Sequence, residues 1–330
     1  MATMKDVAEL AGVSLGTVSR VINHAPGIKP ITLAKVEAAI QQLAYVPDEY
    51  ARGMKLNRTN TVALIVPTIW HPFFGEFSYY VERELSAREI KLLLCNSEGA
   101  TKEVEYIKML QQNKVDGIIA ITYSSIEEYL SSNIPFVSID RMFPGMEIAC
   151  VASDNQYGAE LAAQTLIEKG CQHLAFIGTH NDTANETKKR RLYFEKAVRS
   201  ANKKISILDL EEPIDNLSRH IERFLTEHET IDGIFAINDF VALDTLAIIR
   251  KLQRKVPDEI QVIGYDGIRL ASEREYVVST IKQPLEQMAK KAIDMLLNII
   301  DQKPHMQQIL IPGEYIEGPT TKANKIIEKK

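Results

Sequence analysis

Apolar side chains along residues 5–23 recur at helical rather than alternating spacing. Val7, Ala8, Leu10 and Ala11 make one apolar face, and Val18, Val21 and Ile22 make a second. Gly12 sits between them and supplies a tight turn, because glycine enters left-handed backbone geometry at little cost. Thr3, three residues before Asp6, predicts a capped start for the first helix. Ser14 predicts a cap for the second. These faces leave Leu15, Gly16, Thr17, Ser19, Arg20 and Asn23 outside. Pro26, Gly27 and Pro30 mark residues 24–31 as a loop. A third helix is predicted over 32–43, where Ala34, Val36, Ala39, Ile40 and Leu43 close a small three-helix core.

Residues 45–55 read as a weak helix, opened by Pro47 and interrupted by Gly53, which costs about 1 kcal/mol against Ala. A plain flexible linker is the alternative. From residue 61 the texture changes to apolar strand runs alternating with helices. Strands are predicted at 62–66, 91–95, 117–122, 136–139, 174–177, 205–208, 233–236 and 261–265. A short helix is predicted at 125–131, and residues 280–284 read as the opening of a last long helix over 285–300. Apolar runs of this length between helices indicate parallel sheets covered on both faces. The fold class is therefore α/β: a three-helix head, a short hinge segment and two doubly wound lobes.

The chain has 330 residues, more than one core usually serves. Apolar content of 45% with 25% charged is ordinary for a globular protein. The N-terminus lacks a signal-peptide pattern, so a cytoplasmic protein is expected. Cys95, Cys150 and Cys171 are far apart and fit reduced thiols. The net charge of -5 at first argues against nucleic acid, but its distribution matters more. Residues 1–58 carry seven basic and five acidic side chains, leaving the excess of acid to the body. A mildly basic head on an acidic body suits a DNA reader whose body stays off the duplex.

A short helix showing small polar groups and one arginine suits a DNA major groove. Arginine makes a forked bond to guanine, and hydroxyls hold phosphate. The competing reading is an ordinary helical hairpin with solvated polar residues. In the body no phosphate loop, dinucleotide-binding glycine pattern or nucleophile elbow occurs. The seven histidines are scattered and none pairs at metal-binding spacing. No catalytic residue, metal or cofactor is expected. Glu211-Glu212 falls in a predicted loop and reads as solvated.

Val7-Ala8, Leu10-Ala11-Gly12-Val13-Ser14 and Thr17-Val18-Ser19-Arg20-Val21-Ile22-Asn23 together resemble the helix-turn-helix of the LacI/GalR family of bacterial transcriptional regulators. The resemblance implies a DNA-binding domain at 1–46, a hinge at 47–60 and an effector-binding and dimerisation core at 61–330. It implies three crossings between lobes, with lobe one at 61–153 plus 284–308 and lobe two at 154–283 plus 309–320. Leu15 and Gly16 occupy specificity positions. Arg20 is expected to read a base, with Ser14, Thr17, Ser19 and Asn23 holding phosphates or positions. Lys29 stands where the family usually has Ser, and still reaches toward phosphate. Met54 stands where Leu usually wedges open the minor groove.

In the body, Trp70-His71-Pro72-Phe73-Phe74 matches the family's Asn-Pro-Phe-Phe segment, so Phe73 and Phe74 either stack on an effector ring or belong to the core. Tyr123, Asp140, Asp154, Arg190, Asn238 and Asp266 complete the expected effector set. Tyr193 replaces a usual Gly near Arg190. Such a set bonds neighbouring hydroxyls in pairs, which suits a sugar or sugar phosphate. The resemblance implies a homodimer on a pseudo-palindromic double-stranded operator. Two alternatives stay open: a protein corepressor, as in catabolite-control relatives, and an enzyme built on the same lobes.

Overall fold

The computed structural model describes residues 2–46, 58–130, 134–181, 183, 185–269 and 274–323. The chain separates into two compact units, dividing between Thr59 and Asn60.

The head consists of α1 (Met4–Ala11), α2 (Leu15–Ile22) and α3 (Pro30–Gln42). Thr3 and Asp6 form a full capping box: the Thr3 hydroxyl accepts from the Asp6 N–H, and the Asp6 carboxylate accepts from the Thr3 N–H at 2.7 Å. Those bonds hold the Asp6 carboxyl below its usual range. Gly12 takes the left-handed turn with φ 64°. α3 begins at Pro30, earlier than predicted, because proline's fixed φ suits the first helical position. Lys29 precedes it without a side-chain cap. Val7, Val18 and Val36 are fully buried where the three helices meet. Met54 and most of the hinge expected at 47–60 lie outside the described residues.

The second unit runs β1 (Thr61–Val66), α4 (Pro72–Ser86), β2 (Lys91–Asn96), α5 (Ala100–Gln112), β3 (Gly117–Ile121), β4 (Phe136–Ile139) and β5 (Ala149–Ser153). It continues with α6 (Asn155–Glu168), β6 (His173–His180), α7 (Lys188–Ser200), β7 (Lys204–Glu211), α8 (Leu217–Glu227), β8 (Gly233–Ala236) and α9 (Asp239–Lys251). It closes with β9 (Gln261–Asp266), β10 (Ser279–Lys282), α10 (Leu285–Ile300), β11 (Gln308–Ile311) and β12 (Glu314–Ile316). One sheet has the order β11-β5-β4-β3-β1-β2 and is parallel throughout. The other has the order β12-β10-β9-β8-β6-β7, with only β12 antiparallel.

The chain passes between the sheets after β5, after β10 and after β11. β11 pairs with β5 along residues 308–311, so the last passage falls at Pro312-Gly313, just past β11. β10 occupies residues that read as a helix start. Four residues, three of them buried, paired with β9 and β12 are too short a run to display strand alternation. In place of the predicted helix at 125–131 the described residues show one 3-10 turn, Glu127–Tyr129. β6 and β7 run on to His180 and Glu211, which carries both strand ends to the cleft described next.

Candidate DNA-reading helix and effector cleft

The Ser14 hydroxyl caps α2 by accepting from the Thr17 N–H at 3.2 Å, and lies 2.9 Å from the Thr17 hydroxyl. Burial of Val18 and Val21 turns the opposite face outward. Ser14, Leu15, Gly16, Arg20 and Asn23 are exposed there, with Thr17 and Ser19 half-buried beside them. A side chain added at Gly16 would meet nothing closer than the Ser14 hydroxyl at 3.8 Å, so the backbone there is open to close approach. Arg20 donates from one terminal nitrogen to the Pro26 carbonyl at 3.0 Å, which steadies the guanidinium against the following loop. The Asn23 amide is turned back onto the Ser19 carbonyl at 2.7 Å. Lys29 is exposed.

A cavity of about 340 Å³ lies between the two sheets, at the carboxyl ends of their strands. Phe73, Phe74, Tyr123, Asp140, Arg190, Asn238 and Asp266 all line it. Phe73 and Phe74 also belong to the first lobe's core, so the two readings of these rings hold together. Asn238 caps α9, accepting from the Val241 N–H at 2.9 Å, which leaves its amide N–H groups available to the cavity. Asp154 does not line the cavity. Its carboxylate caps α6, accepting from the Tyr157 N–H at 2.9 Å, and the next residue, Asn155, reaches the site instead.

Arg190 is the centre of the cavity floor. Its Nε donates to the Asn155 side-chain Oδ1 at 2.6 Å and its Nη1 to the Ile237 backbone carbonyl at 2.7 Å. The Asp266 carboxylate stands 3.5 Å away. Burial pushes Asp266 and Asp140 up from 3.8 to about 6, against the opposing pull of the Arg190 charge. Asp140 accepts from the Ser153 N–H at 3.1 Å. His71 caps α4 through Nδ1, which accepts from the Phe73 N–H at 3.2 Å; burial lowers its pKa and keeps the ring neutral.

Several lining residues escaped the sequence reading. Gln283 donates to Asp266 at 2.7 Å. Glu212 is exposed, as expected, and also lines the cavity, accepting from the Thr179 hydroxyl at 2.8 Å. The segment carrying Asn185 and Thr187 crosses to the other lobe: Arg141 and Asn185 form an antiparallel bridge, and the Glu186 N–H donates to the Asp140 carbonyl at 2.9 Å. Only the unused polar residue Asn185, in a loop before a helix, signalled this in sequence.

Residues 3–48 match the description "Bacterial regulatory proteins, lacI family", and residues 163–321 match "Periplasmic binding protein-like domain". The sucrose operon repressor of Streptococcus mutans is 34% identical over 96% of this chain and 99% of its own. A periplasmic binding protein/LacI transcriptional regulator from Alkaliphilus metalliredigens, solved with D-xylulofuranose, is 28% identical over 80% of this chain and 100% of its own, with a TM-score of 0.70. The lac repressor dimer bound to operator and the anti-inducer ONPF shares the fold at a TM-score of 0.84, with 21% identity over 98% of this chain and 99% of its own. Among the described residues no helix is long and apolar enough to cross a membrane. With the family's helix-turn-helix at its head and a 34% identical repressor matching almost its whole length, this chain belongs to the LacI family of bacterial regulatory proteins and is a DNA-binding transcriptional regulator.

Proposed function

We propose that the protein is a homodimeric repressor that binds a pseudo-palindromic operator and is controlled by a small sugar-like effector held in the cleft. α2 enters the major groove. Arg20 reads a base, best a guanine, and Leu15 and Gly16 make apolar contact and close approach. Ser14, Thr17, Ser19, Asn23 and Lys29 hold the backbone. Met54 takes the wedge position at the operator centre.

The observation that carries the effector reading is the Arg190 floor. Arg190, Asp266, Asp140, Asn238 and Gln283 set charged and amide groups around one cavity whose walls come from both sheets. A ligand that bonds both walls favours one arrangement of the lobes over another, which is the differential interaction that allostery requires. The names of the relatives point the same way, toward sucrose and D-xylulofuranose.

Operator affinity at fixed salt tests this reading, using palindromic duplexes from the gene's own upstream region and a panel of sugars and sugar phosphates. A compound that changes affinity for the palindrome and not for scrambled DNA supports it, and the sign distinguishes inducer from corepressor. Tight operator binding that no small compound shifts would remove the effector reading and direct the search to a phosphoprotein corepressor.

A further inference from the structure

We propose that the effector is an uncharged polyol and that the cleft rejects its phosphate esters. This rests on the effector reading above and narrows it. Among the described residues the cavity lining carries three carboxylates, Asp140, Asp266 and Glu212, against two cations, Arg190 and Lys188. Of its three nitrogens Arg190 has only Nη2 left for a ligand. It is 4% exposed, bonded to Asn155 and Ile237, set against Asp266, and covered by the Tyr265 ring.

The other nearby cations are also held. Arg191 lies 3.2 Å from Asp209 and 3.9 Å from Glu195. Lys189 lies 2.6 Å from Glu186. Among the described residues only the exposed Lys188 lines the cavity without a carboxylate partner. The N-terminus of α7 points at the cavity and would ordinarily suit a phosphate. Here its amides already have acceptors: Lys188 N–H on the Asn185 side chain at 3.3 Å, Lys189 N–H on the Glu186 carbonyl at 3.0 Å, and Arg190 N–H on the Thr187 carbonyl at 3.0 Å.

The cavity also holds a buried acceptor that no protein donor meets. Gln283 is 2% exposed, and its amide nitrogen is fixed on Asp266, which leaves its Oε1 buried without a protein partner. A buried acceptor left unpaired is costly. A hydroxyl satisfies it, and also suits the carboxylates beside it. A phosphate dianion brings acceptors and two negative charges into a lining already rich in both.

Isothermal titration of the full-length protein distinguishes these chemistries. The probes are ribose, fructose, glucose and sucrose, each beside its phosphate monoester. At least one free sugar is expected to bind, with its ester weaker by about tenfold or more. Glu212→Gln is expected to narrow that ratio, and Gln283→Leu to weaken the free sugar. An ester that binds as tightly as its parent sugar, or a ratio that Glu212→Gln leaves unchanged, overturns the proposal while the effector reading stands. Failure of every sugar and every ester overturns both.

Discussion

Arg190 lies flat against Tyr265, with its guanidinium carbon 3.6 Å from the ring centroid. Tyr265 is fully buried in β9, and its hydroxyl lies 3.1 Å from the Ser153 hydroxyl in β5 of the other sheet. One stack therefore joins the effector floor to the seam between the lobes. A lysine at 190 keeps the charge and loses the planar face and the fork. Arg190→Lys is expected to weaken effector binding by about ten- to a hundredfold, measured by calorimetry, with operator affinity in the absence of effector retained. Unchanged effector affinity would mean that charge alone holds the ligand.

The two floor carboxylates give a pH signature. Asp140 and Asp266 are raised from 3.8 to about 6 by burial. Between about pH 4 and 6 the folded protein keeps protons that the unfolded chain has released. The sign follows: these groups favour the folded state at low pH, and their contribution is lost as pH rises through that window. Urea midpoints of the wild type, compared with Asp140→Asn across pH 4 to 7 (values set by about those pKa limits), are expected to show a steeper fall with pH in the wild type. Parallel curves would mean that Asp140 titrates normally. Effector hydroxyls donate more strongly to ionised carboxylates, so effector affinity is expected to rise over the same window.

Arg20 is exposed on α2 and steadied by one bond to Pro26, which leaves the rest of its fork free for a base edge. Arg20→Ala is expected to remove about 1–3 kcal/mol of discrimination between operator and a single-base variant. Weak, salt-dependent binding to any duplex remains, because phosphate contacts supply it. Fluorescence anisotropy on operator, variant and scrambled duplexes at two salt concentrations checks this. Equal loss on all three would make Arg20 a backbone contact.

The head was legible because each of its signals is local. Thr3 with Asp6, Gly12 and Ser14 act within three or four residues, and the structure repeats them bond for bond. The long strands and helices of the body were legible from apolar runs. β5, β10, β11 and β12 were not, because each is defined by its partners rather than by its own pattern. The site divides in the same way. Arg190 and Asp266 were recognisable from their neighbours in sequence, yet Asp154 and Asn155 are adjacent polar residues at a helix start. Which of them caps the helix and which reaches Arg190 depends on a fold that neither encodes locally. Gln283 enters the site just after β10, a strand that read as a helix start.

Gly158 tests whether the floor depends on packing behind it. It lies in α6, and a Cβ there would stand 2.8 Å from the Tyr265 hydroxyl and ring edge and 3.1 Å from Ile281. Alanine ordinarily favours a helix over glycine by about 1 kcal/mol. Here overpacking opposes that preference, and cores typically lose about 1–3 kcal/mol when forced to accept an added carbon. Gly158→Ala is therefore expected to lower the urea midpoint of the core. The displaced Tyr265 ring also carries Arg190 with it, so effector affinity should fall severalfold although Gly158 does not line the cavity. Tyr265→Phe in the same background removes the hydroxyl contact and is expected to recover part of the stability. A destabilised variant that binds effector as tightly as the wild type would mean that Asn155 and Ile237 hold Arg190 without help from the ring.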